Sequence, residues 1–92
     1  MAIVRVPALL RDLTGGTAVL DVPGATVGEV VLNLEGRYPG FQARLCENGR
    51  LRPNIRVVVD GTVSAQRLRT ALRADSEVLF LPAISGGGRS GQ

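Results

Sequence analysis

The stretch that decides the fold is TVGEVVLNLEGRYPG, residues 26–40. It begins with a capping box, in which Thr26 is expected to accept a hydrogen bond from the Glu29 amide while the Glu29 carboxylate reaches back to the cap amide. Apolar residues then recur at helical spacing, and Pro39 and Gly40 end the helix. The apolar positions are Val27, Val30, Val31, Leu34 and Tyr38. A helix with a single apolar side predicts a sheet against which that side packs.

Two stretches upstream of this helix alternate apolar and polar residues with the period of a β-strand. They are residues 2–7 and 17–22, and the turn signal Thr14-Gly15-Gly16 lies between them. This pattern predicts an antiparallel pair whose connection is longer than a tight hairpin. Residues 8–13 are interpreted as a short link within that connection.

Downstream of the helix, three more strands are predicted. Residues 55–59 are β-branched and end at the turn dipeptide Asp60-Gly61, residues 62–64 form a short return strand, and residues 77–81 form the last strand. The segments between them are interpreted as an irregular turn over the core at 41–45, a polar loop at 48–54, and a connector at 66–75 whose Leu68 and Leu72 point inward. The order β-β-α-β-β-β predicts an α+β roll, with one main helix on a mixed sheet.

The last predicted strand is apolar on both faces. A central strand that is covered on both sides shows this pattern. Only one helix is available to cover the sheet, however, so one apolar set is expected on an open face. That set is Leu79 and Leu81, together with Val58 and Ile3. Such a patch marks a partner surface unless loops cover it, and the pattern leaves both readings open.

The composition argues against several classes of function. The 92 residues form one domain with a formal charge of +3, but the basic residues are all arginine and are spread along the chain. With only three aromatic residues, nucleic-acid binding is disfavoured. Histidine is absent and Cys46 stands alone, which excludes histidine catalysis, an internal disulfide and a cysteine metal cluster. Cys46 is interpreted as a semi-buried structural thiol. No apolar run matches a membrane span or a signal peptide, so a cytoplasmic location is expected.

At its C-terminal end the chain resembles a known family. The order of elements and the ending DSEVLFLPAISGG, residues 75–87, resemble the ubiquitin-like β-grasp sulfur carriers, which include the small subunit of molybdopterin synthase and the carrier of thiamine biosynthesis. Residues 7–16 and 55–61 look most like the carriers of the mycobacterial-type cysteine synthase pathway. The resemblance implies a β-grasp domain over residues 1–83 and a flexible C-terminal tail over residues 84–92.

The resemblance also implies a protein co-substrate and not an enzyme. An E1-like enzyme would use ATP to adenylate the carboxylate of Gly87, which follows Gly86, and sulfur would then displace AMP to leave a thiocarboxylate. The carrier itself would bind no cofactor and no metal. Its sulfur would pass to a pyridoxal-phosphate enzyme of the cysteine synthase type, with the large subunit of molybdopterin synthase as the alternative acceptor. Leu79, Leu81, Pro82, Ile84 and Ser85 are expected to contact these partners.

The chain departs from the family pattern in continuing past the second glycine. Residues 88–92 follow, so the Gly87 carboxyl group is part of an amide and cannot be adenylated. A JAMM-type metallopeptidase is therefore predicted to cut between Gly87 and Gly88, and the third glycine leaves a cut after Gly88 as an alternative. Three other functions stay open: a ubiquitin-like modifier attached to lysines through Gly87, a molybdopterin synthase small subunit, and a β-grasp binding module whose tail has no function.

Overall fold

The computed structural model describes residues 1–82. The larger sheet contains β1 (Ala2–Arg5), β2 (Val19–Val22), β5 (Ile55–Val59), β6 (Thr62–Val63) and β7 (Glu77–Pro82). A small hairpin contains β3 (Cys46–Glu47) and β4 (Arg50–Leu51), and the helices are α1 (Val27–Arg37) and α2 (Phe41–Leu45). Two 3-10 helices cover Ala8–Thr14 and Arg67–Arg69.

The larger sheet is mixed, and its strand order is β2-β1-β7-β5-β6. Strand β7 lies at the centre, parallel to β1 and antiparallel to β5. The outer strands pair antiparallel, β2 with β1 and β6 with β5. The predicted α+β roll and the antiparallel first pair are therefore confirmed.

Helix α1 packs its predicted stripe against the sheet. Val27, Val30, Val31 and Leu34 are at most 2% exposed, and Tyr38 packs at the edge of the same core. From the sheet, the inward side chains that meet this stripe are Val4, Leu20, Val22, Val57, Val78 and Phe80. One continuous core therefore lies between a single helix and one face of the sheet.

The capping box forms with one difference from the prediction. Thr26 Oγ1 accepts a hydrogen bond from the Glu29 amide at 3.2 Å, as predicted. The Glu29 carboxylate, however, accepts from the amide of Ala25 at 2.9 Å and not from that of Thr26. Thr26 also forms an isolated antiparallel bridge with Ala71, so the start of α1 is tied to the connector that precedes β7.

Two connecting segments have more regular structure than the sequence predicted. Residues 8–14, of which 8–13 were interpreted as a short link, form a 3-10 helix, and this helix buries Leu10. Part of the predicted polar loop is the β3–β4 hairpin, which turns at Asn48 and Gly49 with φ of 57° and 75°. Asn-Gly is a strong hairpin signal, and the loop interpretation overlooked it.

Residues 41–45, interpreted as an irregular turn, form helix α2, but they cover the core as predicted. Helix α2 covers the core with Phe41 and Leu45, which are at most 1% exposed. Leu68 and Leu72 are partly buried against the same core. These connectors close the core on the helix side and leave the opposite face of the sheet without a helix among residues 1–82.

Candidate functional site

The candidate site is the face of the sheet opposite α1. Along β7, Val78 and Phe80 point into the core and are fully buried. Leu79 and Leu81 point the other way; Leu79 is half-buried and Leu81 is 42% exposed. The strand is therefore apolar on both sides because one side fills the core and the other forms an open surface, which we call the open face.

Strand register arranges the open face into an apolar row. Leu79 lies between Val58 of β5 and Arg5 of β1. The row continues to Val63 beyond Val58 and to Val19 beyond Arg5. Val63 is 55% exposed and Val19 is 47% exposed. Apolar side chains left together at a surface are typical of a partner-binding site.

The sequence predicted only some of the residues on the open face. Ile3 and Val58 lie there half-buried, as expected, but Val63 and Val19 were not predicted as members. A signal for Val63 was present in the sequence: the two-residue turn at Asp60-Gly61 places Val59 opposite Thr62, and hence Val58 opposite Val63. Val19 could not be placed without the register of β1 and β2.

Charged groups interrupt and border the apolar row: Arg5 lies within it, between Leu79 and Val19. Arg5 Nε donates to Glu77 Oε2 at 2.7 Å, and both side chains are about half exposed. Arg56 lies beside Leu81 in the pairing of β5 with β7. Exposed ion pairs contribute little to stability, about 0.2–1 kcal/mol, so these groups are better suited to orienting a partner. An apolar centre with a polar rim is the usual anatomy of a protein interface.

Asp60 fixes the start of β7. Its Oδ1 accepts a hydrogen bond from the Glu77 amide at 2.9 Å, and Oδ2 lies 3.4 Å from Arg73. The Glu77 N–H, with Ser76 and Arg73 contributing, holds the pKa of this carboxyl below its usual value of 3.8 against a smaller opposing effect of desolvation. This contact therefore fixes the position at which β7 begins beside β1 and β5.

The end of β7 is defined by its last pair, in which Pro82 lies opposite Ile55. The other residues predicted for the site, Ile84, Ser85, Gly86, Gly87 and Gly88, lie outside the described residues. Their roles, and the division into a domain at 1–83 and a tail at 84–92, stay predictions. Leu79 and Leu81 lie on the same face of the strand that leads to them.

The described residues offer little catalytic chemistry of their own. Cys46 is 9% exposed, and burial raises the pKa of its thiol above the ordinary 9.0, although nearby Arg52 partly opposes this effect. Such a thiol stays protonated at neutral pH and is a poor nucleophile. Residues 1–82 contain no group of three His, Cys, Asp or Glu side chains placed to hold a metal ion. None of their helices has the length and apolar character needed to cross a membrane.

Comparison with known proteins identifies one family and two relatives to which this chain is similar. The model of the ThiS family matches residues 4–87. The sulfur carrier protein CysO of Mycobacterium tuberculosis is 33% identical over 89 residues, which span 91% of this chain and 96% of that protein. Small archaeal modifier protein 3 of Haloferax volcanii is 37% identical over 65 residues, which span 68% of this chain and 71% of that protein.

A solved structure shares the whole fold. The crystal structure of the Amycolatopsis orientalis BexX/CysO complex contains a chain that matches with a TM-score of 0.87 and 32% identity, covering 95% of this chain and 100% of that one. The predicted ubiquitin-like β-grasp fold is therefore confirmed. In that structure the similar chain is found together with a partner protein.

Proposed function

Because this chain belongs to the ThiS family, we propose that it is a sulfur carrier protein whose reactive atom is the carboxyl carbon of Gly87. One observation carries the proposal: the family match ends at Gly87, while the chain continues for five more residues. Its similarity to sulfur carrier proteins named CysO, over nearly the whole of both chains, supports the same function.

The proposed chemistry begins with hydrolysis of the Gly87–Gly88 amide. Water adds to the carbonyl, the Gly88 amine leaves, and Gly87 gains a free carboxylate. A JAMM-type metallopeptidase fits this step. Before cleavage the Gly87 carbonyl is part of an amide, and no carboxylate is present to attack ATP, so the extension keeps the carrier inactive.

Activation follows on the matured carboxylate. A carboxylate is a poor electrophile, and attack of its oxygen on the α-phosphate of ATP, with loss of pyrophosphate, supplies AMP as a leaving group. A sulfur nucleophile then displaces AMP and leaves a thiocarboxylate on Gly87. An E1-like enzyme is the partner we propose for both steps. The chain's own contribution is to bind that enzyme and to present its tail.

The described residues are suited to binding the activating enzyme while the tail is presented to it. The open face offers apolar contacts around Leu79 and Leu81, which can provide binding free energy at the base of the tail. Gly86 and Gly87 carry no side chains, so a narrow channel can admit them. Ordering such a segment costs about 1–2 kcal/mol per residue, and the contacts of the folded domain must offset that cost.

For the sulfur acceptor we propose an enzyme of the cysteine synthase type that uses pyridoxal phosphate. The similarity to CysO favours this acceptor over the large subunit of molybdopterin synthase. The pyridoxal phosphate belongs to the acceptor enzyme, and the carrier supplies only the sulfur nucleophile.

The direct test uses a chain that ends at Gly87, the full-length chain, and a Gly87→Ala version of the shortened chain. With the activating enzyme and ATP, we expect pyrophosphate release from the shortened chain only, and a thiocarboxylate when a sulfur source is added. If the full-length chain released as much pyrophosphate as the chain that ends at Gly87, the proposed maturation step would be wrong. If the Gly87→Ala version formed as much thiocarboxylate as the shortened chain, the assignment of Gly87 as the reactive residue would be wrong.

A second candidate function is a ubiquitin-like modifier attached to lysines of other proteins. The likeness to small archaeal modifier protein 3 is the observation that favours it. Both functions need the same activated Gly87, so activation assays do not separate them. Trypsin cuts this chain after Arg73 and would leave residues 74–87 on a modified lysine. Searching tryptic peptides from the native cells for that remnant on lysine, alongside thiocarboxylate labelling of the free carrier, distinguishes the two.

A further inference from the structure

Three arginines from two segments that are separate in sequence line one groove. It lies between the β3–β4 hairpin and the second 3-10 helix, has a volume of about 790 Å³, and includes Arg50, Arg67 and Arg69. Its remaining lining is neutral, with Leu51, Pro53, Ala65 and Leu68 among the apolar contributors. Among residues 1–82, no Asp or Glu lines it, so the groove concentrates positive charge on an apolar floor.

Arg67 holds the two walls of the groove together. Its Nη2 donates to the carbonyl of Arg52 at 2.6 Å and to that of Leu51 at 3.2 Å. Its backbone is in the left-handed region, with φ of 55°, which is unusual for a residue with a long side chain. Because carbonyl oxygens are neutral, these bonds position the Arg67 charge without cancelling it.

The charges of the groove are not neutralised within residues 1–82. None of the ion pairs in that range includes Arg50, Arg67 or Arg69. Glu47 lies opposite Arg50 in the pairing of β3 with β4, but its carboxylate is bound by Arg52 at 3.0 Å. Three guanidinium groups beside one carboxylate that is already paired create a local positive potential that attracts an anionic partner.

The groove also lies near the end of the sheet from which the tail leaves. Pro53 lines it, and Ile55, two residues later, pairs with Pro82 at the end of β7. Two residues of extended chain span at most about 7 Å, so the wall of the groove is close to the strand that leads to Gly87. A protein that takes up the tail therefore approaches this groove as well.

We propose that the groove between β4 and the second 3-10 helix binds an acidic polypeptide segment of the partner that receives the tail. Guanidinium groups pair with carboxylates through two parallel hydrogen bonds, and the apolar floor accommodates the aliphatic parts of a peptide. A nucleic acid fits less well, because no aromatic side chain lines the groove to stack on a base. Only the identity of the partner rests on the proposed carrier function.

The test uses hexaglutamate peptide as the probe and the backbone amide signals of the ¹⁵N-labelled full chain as the readout. We expect peptide-dependent shifts confined to residues 49–53 and 65–69, weakening as salt is added. The double variant Arg50→Gln/Arg69→Gln removes two exposed charges and leaves the structural Arg67 in place. It should lower the affinity about tenfold, as expected for the loss of two exposed ion pairs.

The matched control is Arg37→Gln/Arg73→Gln, which removes the same charge away from the groove and should bind the peptide nearly as tightly as the unaltered chain. Equal weakening by both double variants, or shifts spread over the whole surface, would overturn the proposal. So would displacement of the peptide by equimolar inorganic phosphate, or tighter binding of a single-stranded oligonucleotide in the same groove. The Gly87→Ala substitution removes the proposed carrier chemistry but should leave the affinity for hexaglutamate unchanged. The carrier function and the peptide-binding groove are therefore tested independently.

Discussion

At the residue scale, Asp60 connects the turn after β5 to the first residue of β7. Its carboxylate accepts the Glu77 amide and faces Arg73, and these contacts favour the ionised form. Both Asp60 and Gly61 have positive φ, of 51° and 84°, which is the geometry of a two-residue hairpin turn. The same residue therefore sets the hairpin and positions the strand that carries the open face.

The lowered pKa of Asp60 predicts a pH dependence of stability. A group whose folded pKa is depressed contributes stability above its unfolded pKa, and that contribution is lost as the pH falls through the folded pKa. We expect Asp60→Asn, which keeps an acceptor oxygen and suits the turn, to lower the free energy of unfolding at pH 7. The difference from the unaltered chain should shrink as the pH falls below 3.8, as measured by urea unfolding across that range.

Asp75→Asn is the control for this prediction. Asp75 is exposed, and its side chain makes no hydrogen bond or ion pair within residues 1–82. Its substitution should leave the pH dependence almost unchanged. A difference between Asp60→Asn and the unaltered chain that stays constant down to pH 2 would argue against an electrostatic role for Asp60.

At the element scale, α1 was the most predictable part of the fold. Its boundaries, its N-terminal cap and its buried stripe follow from the order of residues 26–40, because each of these features depends on local spacing. The β3–β4 hairpin was missed although Asn48-Gly49 signals it, since its two strands contribute only two residues each. The 3-10 helix at residues 8–14 carries no comparable periodic signal.

Two glycines near α1 give opposite predictions for the same substitution. A Cβ at Gly24 would lie 2.7 Å from Val30 Cγ2 and 2.9 Å from the Val30 backbone nitrogen. The backbone atom cannot move without displacing the helix, so Gly24→Ala should destabilise the fold by about 1–3 kcal/mol. Thermal unfolding measures this change, at about 4–8 °C per kcal/mol for a domain of this size.

Gly36 lies within α1, and a Cβ there would meet no atom within 4 Å. Gly36→Ala should therefore stabilise the chain by about 0.5–1 kcal/mol, because alanine loses less backbone entropy in a helix. If Gly24→Ala and Gly36→Ala shifted the midpoint of thermal unfolding in the same direction, α1 would not pack against the segment that contains Gly24 as described above.

At the scale of the whole molecule, α1 covers one side of the sheet, and the other side has no helix over it within residues 1–82. The sequence of β7 predicted an open face, since the strand is apolar on both faces and only one helix was available to cover them. The extent of the open face was not predictable, because Val19 and Val63 join it through strand register. The arginine groove was missed for a similar reason: its residues are spread along the sequence and meet only when β4 packs beside the second 3-10 helix.

The open face predicts how the activating enzyme that we propose would bind. Leu81 is 42% exposed, so Leu81→Glu should leave the fold intact while placing a charge against an apolar partner surface. We expect the KM for the matured carrier in the adenylation assay to rise about tenfold or more, as for loss of a central interface contact. The kcat should change less, because the reacting carboxylate is unaltered.

Leu32→Glu is the control, since Leu32 is 59% exposed on α1, on the opposite side of the molecule. It should leave both kinetic constants close to those of the unaltered carrier. Equal effects of the two substitutions would mean that the open face is not the surface that the activating enzyme recognises.

The central claim is that Gly87 becomes the sulfur-bearing terminus, and intact-mass spectrometry of the protein from its native cells tests it most directly. The account predicts a chain that ends at Gly87, part of it with one terminal oxygen replaced by sulfur. A protein present only as the full 92-residue chain would contradict it.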